Sequence, residues 1–294
     1  MRGLVIINGY PNAEKFIRQG QRIQAALDLE GIETDLVKNG ELTACITADG
    51  TIDSAIVKRY SFAVYLDKDK YLGAMLENAG VKLFNSAKAV ETCDDKLSTY
   101  LALGACGLRL AKSIPAPLCY TQGATPNPAF LGNVAQILGF PLVAKKSFGS
   151  FGAGVHLVHG MPELLKIEAE WLHQPHFYQQ YIKASCGKDY RIIVIGGKAV
   201  GCMERIAKAG EFRSNIELGG VGQNVTPDAA YLQAAELAAK TLGLDYCGVD
   251  LLETEGGPVL CEVNSNAFFD GFEKVTGLDV AALYAKHIAR TIKK

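Results

Sequence analysis

The 294-residue chain lacks a surplus of charge of either sign: 30 Lys and Arg stand against 31 Asp and Glu, a formal net charge of −1. Without a basic stripe it offers no electrostatic footprint for nucleic acid. No block of like charges reads as a disordered tail. No apolar run approaches the roughly 20 residues that cross a bilayer, so no membrane partner is expected. The opening stretch, Met1-Arg2-Gly3-Leu4-Val5-Ile6-Ile7-Asn8, turns polar too soon for a secretory leader and reads as a buried strand. None of the eight cysteines forms a C-x-x-C pair, and most lie in apolar segments. Packed, reduced thiols and a cytoplasmic location are therefore expected, not a disulfide frame. Internal repeats and low-complexity tracts are also missing.

Several nucleotide fingerprints are absent too. The turn after the first strand, Asn8-Gly9-Tyr10-Pro11-Asn12, is not G-x-G-x-x-G, which excludes a dinucleotide site there. No G-K-[ST] follows the glycines near residue 150, which excludes a Walker loop. No H-R-D or D-F-G occurs, and the lysine precedes the glycines instead of following them, which opposes a kinase. The histidines (His156, His159, His173, His176 and His287) are scattered, and no Ser/His/Asp or Cys/His set points to a covalent enzyme intermediate.

What is present is an acid-bearing hairpin near the C-terminus. Gly248-Val249-Asp250-Leu251-Leu252 and Pro258-Val259-Leu260-Cys261-Glu262-Val263-Asn264 are apolar runs joined by the turn Glu255-Gly256-Gly257. Glu262 and Asn264 are two apart on a strand and share a face. An ionised carboxylate in an apolar sheet is costly unless paired or bound to a cation. Oxygen ligands without Cys or His suit magnesium completed by substrate phosphates. The alternative is a strand pair whose polar face meets water. Asn266 and an Asp270-Gly271 turn follow.

The pattern as a whole is α/β, with an α+β C-terminal part. Strands over Leu4–Asn8, Glu33–Lys38, Ser61–Leu66 and Val81–Phe84 alternate with helices over Ala13–Glu30 and Lys70–Ala79, a small parallel unit. A helix over Asp94–Gly107 is opened by two acids. Ile114-Pro115-Ala116-Pro117 reads as an extended linker. Next come helix Pro128–Leu138, strand Pro141–Lys146, the glycine-rich Ser147–Gly154, strand Val155–His159, helix Pro162–Leu172 and strand Phe177–Ile182. Strands Arg191–Ile195 and Lys198–Arg205, a polar loop Ala207–Gly222, helix Pro227–Leu242, the hairpin and a helix Val280–Ile292 complete the chain. Glycines at Gly149, Gly152 and Gly154 let backbone N–H groups approach a phosphate, or simply turn the chain, and leave the segment few fixed contacts. Gln179-Gln180-Tyr181-Ile182 either presents backbone groups to an adenine edge or is an ordinary strand end.

The ordered set is Asp95-Lys96-Leu97, Leu142-Val143-Ala144-Lys145 leading into Gly149-Ser150-Phe151-Gly152-Ala153-Gly154-Val155, Gln179-Gln180-Tyr181-Ile182, Asp189-Tyr190-Arg191, Glu204-Arg205, Phe212-Arg213-Ser214-Asn215 with Gly219-Gly220, Gly248-Val249-Asp250 and Glu262-Val263-Asn264. It resembles the ATP-grasp superfamily, and within it the RimK-type glutamate ligases, over nearly the whole chain. The resemblance implies an ATP-grasp fold behind an N-terminal parallel α/β domain. The divisions would be 1–92 (pre-ATP-grasp), 93–184 (central subdomain with the glycine-rich flap) and 185–294 (C-terminal subdomain with the metal site). Lys96 and Lys145 would meet the ATP phosphates under a flap containing Ser147 and Gly152. Gln180, Tyr181 and Ile182 would hold adenine, with Asp189 near the ribose. Asp250, Glu262 and Asn264 would hold two magnesium ions, with manganese as a substitute. Arg205, Arg213 and Asn215 would stabilise the transferring phosphoryl group.

The implied activity is ATP-dependent ligation of a glutamate-like amino acid to a protein or small-molecule acceptor through an acyl phosphate. Another ATP-grasp ligase, such as a dipeptide ligase, or a non-catalytic ATP-binding module are the alternatives. A homo-oligomer is compatible with the family. Two departures stand out. A His-Arg-Gly-Gly-like stretch of the family is here Glu217-Leu218-Gly219-Gly220, and a Pro-Gly pair after the metal Asn is here Ser265-Asn266-Ala267-Phe268-Phe269. Leu218 cannot bind a carboxylate, so either a less acidic amino acid or an acceptor with a basic or neutral group at this loop is expected; the alternative is a loop facing solvent, with another arginine such as Arg213 making the contact.

Overall fold

Strand β1 (Arg2–Ile7) is an apolar run buried along all but its first residue, as suits a central parallel strand. The computed structural model describes residues 2–10, 14–53, 59–214, 216 and 219–293. Helix α1 (Glu14–Leu29) packs Ile23 and Leu27 onto Val5 and Ile7 of β1. Strand β2 (Glu33–Lys38), a minor hairpin of β3 (Cys45–Ile46) and β4 (Ile52–Asp53), strand β5 (Phe62–Leu66), helix α2 (Lys70–Asn78) and strand β6 (Lys82–Phe84) follow. The main sheet is parallel in the order β2-β1-β5-β6.

The expected single helix over residues 94–107 is two helices, and the first starts earlier. Ser86 caps α3 (Ala87–Asp94), accepting from Ala89 N at 3.2 Å. Asp95 then leaves the helical region and caps α4 (Lys96–Leu103), accepting from Leu97 N at 2.9 Å and Ser98 N at 3.2 Å. The second sheet is antiparallel. It is built from β7 (Ser113–Pro115), β8 (Leu142–Lys146), β9 (Val155–Val158) and β10 (His176–Gln180) in the order β7-β10-β8-β9, with α5 (Pro128–Leu138) and α6 (Met161–Trp171) packed on it. The expected linker at Ile114-Pro115 is its edge strand, where proline costs no ladder bond. Beneath β10, buried His176 places Nδ1 2.8 Å from Gln174 O and Nε2 2.8 Å from Glu168 Oε2.

The third sheet is antiparallel in the order β13-β12-β11-β14-β15. Its strands are β11 (Lys188–Ile195), β12 (Lys198–Ile206), β13 (Val221–Asn224), β14 (Tyr246–Leu252) and β15 (Val259–Asn264). Helix α7 (Ala229–Leu242) covers one face. Strand β13 occupies the end of the expected polar loop, and the expected Asp270-Gly271 turn instead opens α8 (Asp270–Thr276), ahead of α9 (Val280–Ile292). The first and third sheets share one apolar core, in which Val5 and Leu27 join Ile193, Tyr246, Phe269 and Tyr284. Buried Asn85 clamps them. Its amide donates to Tyr246 O and Ser265 O at 2.8 Å, and its oxygen accepts from Asp245 N at 2.7 Å and Tyr246 N at 3.0 Å. That saturates every donor and acceptor of one side chain. Among the described residues, no helix is long and apolar enough to cross a membrane.

Candidate active site between the sheets

Two clefts open where the three sheets meet, and Lys96, Gly149, Ser150, Arg205 and Glu262 line both. Eleven of the fourteen candidate residues line the first cleft, between the second and third sheets. Asn264 lines the second, on the side of the first sheet. Ser147 lines neither: it is 3% exposed, and its backbone bonds Pro175 O and Lys96 N. Asn215, with Glu217 and Leu218 of the loop that departs from the family pattern, lies outside the described residues.

The hairpin of β14 and β15 pairs Asp250 with Glu262 and Gly248 with Asn264, closed by a turn in which Gly257 takes φ +100. Opposite Asp250 on β11 stands Arg191, whose Nε and Nη2 grip both carboxylate oxygens, the latter at 2.7 Å. Gly248 makes room for this reach. A Cβ there would lie 3.0 Å from Arg191 Cδ and 2.7 Å from Ala267 Cβ. Arg205, 5% exposed, donates to Asp189 at 2.7 and 2.6 Å and meets Asp250 Oδ2 at 2.9 Å. Two acids and two arginines thus form a closed, electrically balanced network. Burial alone would raise the Asp250 pKa, but Arg191 and Arg205 outweigh it and hold the carboxyl below its usual range. Burial likewise opposes the Arg205 charge, yet Asp189 and Asp250 drive its pKa upward.

Around this network the remaining charges are loosely held. Lys96 Nζ donates to Gly149 O at 2.7 Å and stands 3.4 Å from Glu262 Oε1. The Lys145 ammonium meets the Cys261 sulfur at 4.0 Å. Burial pushes the Cys261 thiol up to about 11, with Lys145 pulling the other way. Gln180 ends β10, and Tyr181 and Ile182 follow it along the wall of the cleft. Burial, then a hydrogen bond with Cys186, pushes the Tyr181 phenol up to about 12.

The glycine-rich hairpin between β8 and β9 carries more contacts than its glycines suggest. Lys96 and Arg213 Nη1 bond the carbonyls of Gly149 and Gly152, the latter at 3.0 Å, and Lys68 Nζ lies 3.3 Å from Ser150 Oγ. Phe151, at φ +59, sits 6.0 Å from the Phe268 ring, with Lys15 Nζ 3.7 Å above its own ring. Arg213 is braced by Glu211, whose carboxyl it draws down to about 2.

The donor set fits a divalent cation. A carboxylate offers about four lone-pair positions; Asp250 spends three on its arginines and keeps one on Oδ1. The Glu262 side chain is 30% exposed with one loose ion pair among the described residues. Asn264 would ligate through its amide oxygen, while its buried, unpartnered Nδ2 is a donor that calls for an acceptor and does not itself speak for a cation. Among the described residues no group of three or more His, Cys, Asp or Glu is placed to hold a metal ion; the candidate set has two carboxylates and an amide. Sequence reasoning missed Arg191 as a site residue, although a charged residue inside an apolar strand was a visible signal. It also missed Cys261, Lys68 and the Lys15–Phe151–Phe268 contact, which needs the fold.

Residues 121–288 match the RimK-like ATP-grasp domain. The chain is 34% identical over 268 residues to beta-citrylglutamate synthase B from Homo sapiens, covering 90% of this chain and 67% of that protein. Of the Mus musculus counterpart it spans 57%. It is 34% identical over 218 residues to a probable alpha-L-glutamate ligase from Marinomonas sp., covering 73% and 69% of the two chains. Its fold is similar to that of D-alanine–D-alanine ligase from Bacillus anthracis complexed with ATP, with a TM-score of 0.72, 21% identity, and coverage of 100% of this chain and 96% of that one.

Proposed function

Because the chain belongs to the RimK-like ATP-grasp family, we propose that it is an ATP-dependent carboxylate–amine ligase that joins an amino acid to a small-molecule acceptor. The observation that carries this reading is the charge of the first cleft. Five cationic side chains face three carboxylates there, and two of the carboxylates are spent on arginines. Lys96 and Lys145 are left to meet phosphate oxygens as point charges. Gln180, Tyr181 and Ile182 frame the base, and Asp189 fixes Arg205. Arg205 keeps its Nη1 donors for a phosphoryl group, alongside Arg213 and Asn215. Ser147 and Gly152 belong to the flap, which excludes water from an acyl phosphate.

Asp250, Glu262 and Asn264 would hold magnesium, two ions in this proposal, with manganese as a substitute. The metal would supply charge neutralisation on the phosphates. A substrate carboxylate oxygen attacks the γ-phosphorus as the bond to the β-phosphate oxygen breaks, giving an acyl phosphate and ADP. The amine then attacks the acyl carbon and phosphate leaves. The relatives named for glutamate support glutamate as the amino acid. The Glu217-Leu218 departure is the reason to test neutral and basic amino acids beside it. The division at residues 92 and 184, a cytoplasmic location suited to eight free cysteines, and self-association belong to the same proposal.

The test is ADP formation across an amino-acid panel with citrate and related acceptors, using hydroxylamine to trap acyl phosphate. Magnesium-dependent ADP release that needs both a carboxylate and an amine is expected. ADP release indifferent to any amine, or none at all, overturns the reading.

A further inference from the structure

Three buried side-chain atoms lack a hydrogen-bond partner among the described residues: Thr34 Oγ1, Asp67 Oδ2 and Asn264 Nδ2. Asp67 and Asn264 line the second cleft, and Asn264 belongs to the candidate metal set. Asp67 follows β5, and Asn8 follows β1. These are neighbouring parallel strands whose onward connections run to opposite sides, β1 to β2 and β5 to β6. The crevice at the carboxyl ends of such a strand pair is where open α/β sheets take ligands.

The Asp67 carboxylate is 3% exposed and unevenly satisfied. Oδ1 accepts from Asn8 Nδ2 at 2.9 Å and from Lys68 N at 2.7 Å, while Oδ2 accepts nothing. The neighbouring Lys68 ammonium does not supply the missing donor; it is 2.5 Å from Asp94 Oδ1. A buried carboxylate oxygen without a donor is costly. With Oδ1 already holding two donors, a bidentate guanidinium fork has no place. A single-point cationic donor fits. The position is also tied to the chemistry, because Asn266, two residues beyond Asn264, donates to Asp67 O at 3.2 Å.

Resting on the ligase reading, we propose that Asp67 Oδ2 in the second cleft receives the primary ammonium group of the amine-bearing substrate, so that Asp67 is a specificity-determining residue for a free amine.

The test is ligand-induced thermal shift and calorimetry on the full chain, with and without magnesium–ADP, using the twenty amino acids. Each binder is compared with its N-acetyl derivative and its des-amino analogue (glutarate for glutamate). At least one free amino acid is expected to bind, its N-acetyl and des-amino forms at least 10-fold more weakly. Asp67→Asn should remove that preference while keeping the magnesium–ADP shift, which also reports that the variant is folded. Equal binding of the N-acetyl form, unchanged amine preference in Asp67→Asn, or no amino acid bound by the wild-type chain overturns the proposal. Loss of the magnesium–ADP shift in the wild-type chain instead counts against the nucleotide reading, and the arm without nucleotide still decides the ammonium question.

Discussion

The two clefts share five lining residues but differ in how their charges are held. In the first, Asp189, Arg205 and Asp250 bond one another, with Asp250 also held by Arg191 from the side of the second, and lysines are left facing the opening. In the second, Asp67 and Asn264 keep buried polar atoms without partners. A network satisfied internally is preorganised and costs nothing further when a ligand arrives. Unpaired groups are silent about affinity until the matching ligand completes them, and so they discriminate among ligands.

The sharpest way to break the contrast is to open the closed network. Arg205→Met leaves Asp189 and Asp250 buried and facing each other, and should cost about 3–5 kcal/mol, read from urea unfolding. The sign of its pH dependence follows from Asp250, whose folded pKa is lowered. The wild-type contribution is present above the usual carboxylate range and is lost as pH falls through the lowered value. The gap between variant and wild type should therefore narrow in acid. A gap that is constant with pH would remove the ion network from the account.

Glu262→Gln tests the loosely held group between the clefts. Its one side-chain ion pair among the described residues is with Lys96 at 3.4 Å, so the melting temperature should barely move. Turnover should fall on the order of 10²-fold or more, as loss of a metal ligand requires. Near-native turnover at limiting magnesium would overturn the metal assignment.

Smaller is the reactivity of Cys261, whose thiol is pushed up to about 11. Alkylation at pH 8 should run roughly 10³-fold below that of a full thiolate. Lys145→Ala should slow it further, because Lys145 is the cation pulling the thiol down. The smallest effect is expected at the tip of the glycine-rich hairpin. Phe151→Ala forfeits an exposed cation–π contact worth about 0.5–1 kcal/mol, so hydrogen exchange over Lys146–Val155 should rise by no more than about fivefold.

The hairpin of β14 and β15 was legible because acids in apolar runs and a Gly-Gly turn have few other uses. The alternating first sheet was legible from its periodicity. The break at Asp95 was not, because apolar residues continue on both sides of it and a capping side chain looks like any first-turn acid. Strand β13 escaped because Val221-Gly222-Gln223-Asn224 is an exposed edge with a loop's composition. In the candidate site, acids inside apolar runs drew attention to Asp250 and Glu262 and a lysine ahead of glycines to Lys145, whereas Lys96 was singled out only through the resemblance. The pairing of Arg191 with Asp250 and of Arg205 with Asp189 depends on strand register, which no local window contains.

The core shared by the first and third sheets has a mechanical meaning. Asn85 and the apolar residues around Tyr284 bind those sheets together, whereas the second sheet keeps a core of its own between Ala116 and Tyr178. The two walls of the first cleft thus rest on separate apolar cores, Lys145 and Gln180 on one, Asp250 and Glu262 on the other.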